Sequence, residues 1–257
     1  MRNISAAELL TAWERALGQL PGQQALIILS IAYPEYTSEQ MERFSVGQRD
    51  GLLLILREHL FGARLDSVTV CPQCQQRIEL TCNVSDIRVG PATLDPIEPA
   101  EESFLLAMDG YRVDFRLPNS LDLVPIDTSA DTRYGQEQLL RRCIKSVVRQ
   151  EADGCEGEPL KDISLLPSTL TDAMAERMAQ ADPQADTRLA LTCPDCRHQW
   201  QAMFDIATYL MGEIQTWAKR ILGEVHNLAR AYGWCEAEIL AMAPTRRRAY
   251  LELLGLG

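Results

Sequence analysis

Two cysteine pairs with matched surroundings are the residues of this chain best suited to chemistry. Val70-Cys71-Pro72-Gln73-Cys74 runs on through Ile78 to Cys82-Asn83-Val84, and Thr192-Cys193-Pro194-Asp195-Cys196 runs on through Trp200 to Phe204-Asp205-Ile206. A Cys-Pro-x-Cys turn points both sulfurs at one spot. Two such turns face to face supply the four thiolates of a closed structural zinc site, with Zn–S distances of about 2.3 Å. Cys71, Cys74, Cys193 and Cys196 are therefore the expected ligands of one structural Zn2+ per chain. A dithiol redox centre is the alternative reading. It needs only one pair, placed at a strand-to-helix junction.

The remaining reactive residues are scattered. Cys82 aligns with Phe204 in the second copy and reads as a core residue, as does Cys143 on the apolar face of a helix. Cys235, beside Trp234, reads as packing, and Cys155 as an exposed residue of a Gly/Glu-rich loop. His198 reads as a solvated or outer neighbour of the metal ligands, His226 as a surface group, and His59 as a partner of a helix C-terminus. No Ser/His/Asp set, paired carboxylates, G-x-G-x-x-G or phosphate-binding loop is present, so no catalytic or cofactor-binding residue is expected, and no small-molecule substrate. Arg246-Arg247-Arg248 is the one dense basic cluster: a solvated helix face, or an anchor for an acidic partner. Trp217, Tyr232, Trp234 and Tyr250 read as helix packing, or as interface anchors where exposed.

The elements that must hold these groups can be traced along the chain. Ser5 with Glu8 forms a capping box before Leu9, Leu10, Trp13 and Leu17 at helical spacing. Pro21-Gly22 ends that helix and opens a second, apolar on most sides, to about Ala32. Thr37 with Gln40 and Ser45 with Gln48 are further capping boxes, the latter opening a helix closed by Gly62. Val68 to Cys82 predicts a β-hairpin with the cysteines at its turn. Residues 90–102 read as a linker. Ser103–Ala107 and Arg112–Leu117 predict a hairpin about Asp109-Gly110. A helix is expected over Tyr134–Arg149, an acidic loop from Asp153-Gly154 to Pro159, and a helix over about Leu170–Gln180. After the second cysteine hairpin, Ile206, Tyr209, Leu210, Ile214, Trp217, Ile221, Val225, Leu228 and Tyr232 predict one long helix. Two short helices, Glu236–Met242 and Pro244–Leu254, follow it.

The fold class expected is α+β and predominantly α-helical, with split zinc-ribbon β-hairpins joining helical N-terminal and C-terminal segments and a β-hairpin plus helix insertion. Its segments are residues 1–66 (helical), 67–89 (first zinc-ribbon hairpin), 90–188 (inserted α/β segment), 189–204 (second hairpin) and 205–257 (helical). The chain between Cys74 and Cys193 is nearly half the protein. Closing so long a loop opposes folding by several kcal/mol. Zinc binding to four thiolates contributes roughly 10–16 kcal/mol, enough to hold it closed and to staple the helical N-terminal segment to the helical tail.

Composition narrows the function class. The net charge of -11 opposes general binding to nucleic-acid phosphates. The N-terminus lacks the apolar stretch of a secretion signal, and apolar runs such as Leu52–Leu56 are too short to span a bilayer. The expected location is cytoplasmic, where the eight cysteines are thiols or metal ligands.

One family resemblance rests on particular residues. Gly62-x-Arg64-Leu65-x-x-Val68 precedes the first cysteine pair, and the second leads through Trp200 into Phe204-Asp205-Ile206. The chain closes with Glu213-Ile214, Trp217, Glu224-Val225-His226-x-Leu228-Ala229, Tyr232-Gly233-Trp234, Glu238-Ile239-Leu240 and Arg246 to Tyr250-Leu251. This resembles the zinc-finger-bearing baseplate or baseplate-hub assembly proteins of T4-type phage tails and contractile injection systems, over roughly residues 45–257 and most specifically from Cys193 onward. The resemblance implies a non-enzymatic structural or assembly protein whose partners are baseplate, hub or tail proteins, and a location in a phage tail-like particle as an alternative to the cytoplasm. Trp217, Trp234, Arg246, Arg247, Arg248 and Tyr250 are the candidate partner-binding residues. A zinc-ribbon regulator that binds nucleic acid is the alternative, but the two hairpins carry only Arg77 and Arg88 in one case and Arg197 in the other.

Overall fold

A computed structural model of the chain describes residues 1–90, 103–123, 132–150, 156–160 and 166–256. In chain order the elements are α1 (Ala6–Ala16), α2 (Pro21–Ala32), α3 (Ser38–Arg43), α4 (Val46–Phe61), β1 (Arg64–Val70), β2 (Arg77–Asn83) and α5 (Val84–Ile87). Then come β3 (Phe104–Met108), β4 (Tyr111–Phe115), α6 (Ser120–Leu123), α7 (Thr132–Cys143), β5 (Ile144–Gln150) and β6 (Glu156–Pro159). They are followed by α8 (Ser168–Ala181), a 3-10 turn at Pro183–Ala185, β7 (Arg188–Thr192) and β8 (Gln199–Met203). Three helices close the chain: α9 (Ile206–Tyr232), α10 (Glu236–Ala241) and α11 (Pro244–Leu253). The fold is α+β and predominantly helical, with small antiparallel sheets.

The chain divides into two compact units. The first joins its beginning to its end, Met1–Thr37 with Ile206–Gly257, and the second is Ser38–Asp205. In the first unit α1 is capped as its sequence dictates: Ser5 Oγ accepts the Glu8 N–H at 3.3 Å and a Glu8 carboxylate oxygen accepts the Ser5 N–H at 2.9 Å. The helical repeat of α9 buries Leu210, Ile214, Ala218, Ile221, Val225 and Leu228. The last four pack with Leu10, Ile239, Leu240 and Leu251 into one core. Gly233, at φ 69°, ends α9 in the left-handed conformation that glycine adopts without strain. Among the described residues no helix is long and apolar enough to cross a membrane.

Among its described residues the second unit holds three antiparallel sheets. β1 pairs with β2, β7 pairs with β8, and β3-β4-β5-β6 form a four-stranded sheet in that order. Asp109 and Gly110 take φ of 54° and 77°, the paired left-handed residues of a two-residue hairpin turn between β3 and β4. The inner face of this sheet packs Val113, Phe115 and Val147 with Cys143 and with Leu170, Met174 and Met178 of α8.

Two local readings of the sequence are corrected here. The helix expected over Tyr134–Arg149 ends at Cys143, and the chain turns at once into β5. Ile144, Val147 and Val148 are β-branched, and pairing β5 with β4 sets Val147 opposite Val113, both buried. An apolar run that satisfies helical spacing also satisfies a strand when a sheet edge stands ready for it. Of the loop expected from Asp153 to Pro159, Glu156–Pro159 pairs with β5 as a strand. Asp153, Gly154 and Cys155 lie outside the described residues, as does the 91–102 part of the expected linker.

Candidate metal centre

Each cysteine turn is built the same way. In β1–β2, Cys71 donates its N–H to Gln76 O at 2.9 Å, and Gln75 N–H returns to Cys71 O at 2.9 Å. In β7–β8, Cys193 donates to His198 O at 2.9 Å and Arg197 to Cys193 O at 3.1 Å. The residue after the second cysteine of each pair, Gln75 or Arg197, sits at φ 62°, a left-handed kink that folds the pair back on itself. Cys-Pro-x-Cys followed by one left-handed residue is thus a rigid knuckle, formed twice.

The knuckles bring the four predicted sulfurs together. All four Sγ atoms lie within 4.8 Å of one another. Cys71 Sγ is 3.7 Å from Cys196 Sγ and Cys74 Sγ is 3.6 Å from Cys193 Sγ, both approaches running between hairpins. Tetrahedral bonds of about 2.3 Å place neighbouring sulfurs about 3.8 Å apart, so the cluster has the dimensions of a four-thiolate site. Cys71 and Cys193 are buried, while Cys74 and Cys196 face solvent.

The electrostatics also fit a cation. Burial disfavours ionisation of Cys71, but N–H groups of Cys74 and Gln73 and the thiols of Cys74 and Cys196 point at its sulfur and bring it down to about 7. Once that sulfur is charged, Cys74 and Cys196 resist. Gln76 N–H favours the Cys74 thiolate, yet burial and the Cys196, Cys193 and Cys71 sulfurs outweigh it and push Cys74 up to about 12. Cys196 moves upward too: the His198 N–H favours its thiolate, and burial with the Cys193 and Cys71 sulfurs overrides it. Four sulfurs at this spacing are compatible with a cation among them, whose charge would favour the thiolate forms.

The supports of the knuckles were not evident in the sequence. Gln184, in the 3-10 turn, accepts the Val89 N–H at 2.6 Å through Oε1, and its Nε2 donates to Thr187 Oγ1 at 2.7 Å and Ile87 O at 3.3 Å. One buried side chain thereby ties the exit of the first hairpin to the entry of the second. Asp182, before it, accepts the Gly47 N–H at the start of α4 at 2.9 Å. Ala181-Asp182-Pro183 reads as a helix stop and nothing more; only a long-range contact gives these side chains a role.

The other flagged residues take varied positions. Cys143 is buried and its thiol is pushed up to about 12 by burial. Cys82, expected in the core, is half-buried and lines a groove between β2 and β7 with Leu80, Leu189 and Leu191. Cys235, expected to pack, is exposed; its N–H caps α10 through Glu238 at 2.9 Å. The His198 ring stacks on Trp200 at 5.9 Å. In the helical unit Tyr232, Trp234 and Tyr250 form an aromatic cluster, with centroids 4.5 Å apart for Tyr232–Trp234 and 4.8 Å for Trp234–Tyr250. Trp217 is half-buried against the same core. Arg247 is only 4% exposed and binds Glu224 at 3.0 Å and Met242 O at 2.6 Å, whereas Arg246 and Arg248 face solvent.

A comparison with protein-family models matches residues 8–211 to the family described as T4 bacteriophage base plate protein. That span is most of the chain, and it contains both knuckles. The chain belongs to the T4 bacteriophage base plate protein family. Membership supports a structural role in a phage baseplate, in association with tail or baseplate proteins. The match in this baseplate chain starts in α1 and stops early in α9, so the C-terminal motif that carried the resemblance lies largely outside it. No curated protein and no solved structure matches the chain.

Proposed function

We propose that this chain is a non-enzymatic structural or assembly protein of the baseplate of a phage-like contractile particle, closed by one Zn2+ on Cys71, Cys74, Cys193 and Cys196. The observation that carries the reading is the baseplate-family match across both cysteine knuckles. Zinc is the metal that the donor set favours: four thiolates in tetrahedral spacing suit it, while hard ions such as Mg2+ and Ca2+ take oxygen. The metal is structural here, holding β1–β2 against β7–β8 across the long intervening chain.

Contacts to other proteins are the work of the outer residues of α9–α11. Arg246 and Arg248 supply charge, and Trp217, Trp234 and Tyr250 supply aromatic surface, with Arg247 positioning α11 through Glu224. The charge balance disfavours the nucleic-acid reading. Arg64 and Arg188, which the fuller strands add to the hairpins, are ion-paired to Asp66 at 2.9 Å and Asp186 at 2.6 Å. The redox reading is disfavoured as well, since both pairs sit in strand-to-strand turns and sulfurs of different hairpins approach to 3.7 and 3.6 Å, so that all four form one cluster.

The test is affinity capture of the full chain expressed with the sheath, tube and baseplate proteins of its own operon. Capture of a baseplate or hub component with one zinc per chain is expected. Failure to associate with any tail component sinks the baseplate reading.

A further inference from the structure

The four-stranded sheet has two edges of opposite character. β6 carries Glu156, Glu158 and Pro159, charges and a missing N–H of the kind that keep an edge from pairing. β3 is Phe-Leu-Leu-Ala-Met, with neither charge nor proline. Leu105 is 61% exposed and Met108 41% exposed. Met108 and Tyr111 flank the two-residue Asp109-Gly110 turn and so form a hydrogen-bonded pair. Alternation along an antiparallel ladder then sends the backbone groups of Phe104 and Leu106 toward β4, and those of Leu105 and Ala107 outward. Among the described residues no strand pairs with that outer edge.

Unpaired N–H and C=O groups on a short apolar run fit an added extended strand. Charge then separates the occupants. The whole net charge of -11 falls on Ser38–Asp205, the unit that holds this edge, while the other unit is balanced. Asp109 stands at one end of β3 and Asp114 lies opposite Leu105, while Arg112 lies opposite Ala107 and Arg177 stands over the inward-facing Phe104 ring at 6.0 Å, so the charge that decides is that of the unit as a whole. A second copy would bring two strongly acidic bodies together, whereas a cationic segment is drawn in. We infer that the outer edge of β3 takes a strand from a different protein of the particle: an extended apolar segment flanked by Lys or Arg. That the donor belongs to the particle rests on the baseplate reading above.

The test uses the full chain and a variant, Leu105→Pro, that removes an outward N–H without breaking a β3–β4 hydrogen bond. The probe is a synthetic Lys-Lys-Val-Thr-Val-Thr-Val-Lys-Lys peptide, with a Glu-flanked counterpart. The unaltered chain binds the lysine peptide; Leu105→Pro binds it about tenfold more weakly with its melting temperature unchanged, and the Glu-flanked peptide binds about tenfold more weakly too. Leu105→Lys, which keeps the backbone donor but charges the edge, weakens binding as well and serves should the proline variant misfold. Absent binding, binding indifferent to both variants, or equal binding of the Glu-flanked peptide overturns the inference. A dimer of the unaltered chain dissolved by Leu105→Pro overturns it in favour of self-pairing. Undiminished capture of tail proteins by Leu105→Pro overturns it while leaving the baseplate reading intact; no capture by the unaltered chain removes that reading itself.

Discussion

Gly47 and Asp182 leave no room for a methyl group between them. Asp182 Oδ2 accepts the Gly47 N–H at 2.9 Å, and a Cβ on residue 47 would lie 1.8 Å from Oδ1 and 2.9 Å from the Ala185 N. The contact fixes the start of α4 against the segment that carries Gln184. Gly47→Ala is expected to destabilise the second unit by about 2 kcal/mol or more, through overpacking and loss of the hydrogen bond. Because Asp182→Ala removes the obstructing carboxylate, the double variant should be less destabilised than the sum of the two singles. Urea unfolding of the three variants checks this.

Loss of one sulfur should be felt at both knuckles. Cys71→Ser and Cys193→Ser are each expected to abolish stoichiometric zinc, measured by atomic emission, and to lower amide protection in β1–β2 and β7–β8 together. Hydrogen exchange that rises only in the altered hairpin would show that the pairs do not share an ion. Chelation of the native protein should expose four additional reactive thiols and lower its melting temperature.

Helix α1 should respond to acid through one carboxylate. The backbone N–H and hydroxyl of Ser5, then Arg2, hold Glu8 at about 2, down from its ordinary 4.5. A depressed carboxyl gives its full stabilisation above the unfolded value and loses it as pH falls. The Glu8 contribution is therefore expected to be intact above about pH 4.5 and to fade toward pH 2. A carbon-detected titration of Glu8 would show the low midpoint, and Glu8→Gln should remove this part of the acid sensitivity of α1.

The three consecutive arginines should divide by role. Arg247→Ala leaves Met242 O without its donor and Glu224 with only the looser Arg220 pair at 3.8 Å, and is expected to destabilise the helical unit by about 2 kcal/mol. Arg246→Ala and Arg248→Ala are exposed changes expected within about 0.5 kcal/mol of the parent. Their effect belongs in partner capture, which the pair together should weaken with stability unchanged. Calorimetry beside a pull-down separates the two behaviours.

Much of this was legible along the chain because it is written locally. Capping boxes at Ser5 and Ser45, the Asp109-Gly110 turn and the unbroken spacing of α9 each depend on residues within a turn or two. The four sulfurs were found for a different reason: a duplicated Cys-Pro-x-Cys is a local motif that implies a distant partner. What stayed hidden depends on contacts remote in sequence. Ile144–Gln150 became a strand because β4 offered it an edge. Gln184 looks like any polar turn residue until Ile87, Val89 and Thr187 surround it. Arg247 differs from its two neighbours only in the direction its helix turns it.

The division of the chain also sets an order of birth. Met1–Thr37 leaves the ribosome before Ser38–Asp205, yet its companions in the helical unit, Ile206–Gly257, are made after it. α1 and α2 must wait, their apolar faces uncovered, while all of Ser38–Asp205 is synthesised and free to fold. α9 can then dock on α2 only after all of Ser38–Asp205 has been made. A nascent chain halted before α9 would hold a finished knuckle pair and an unfinished helical unit, and so would be the form most in need of a chaperone.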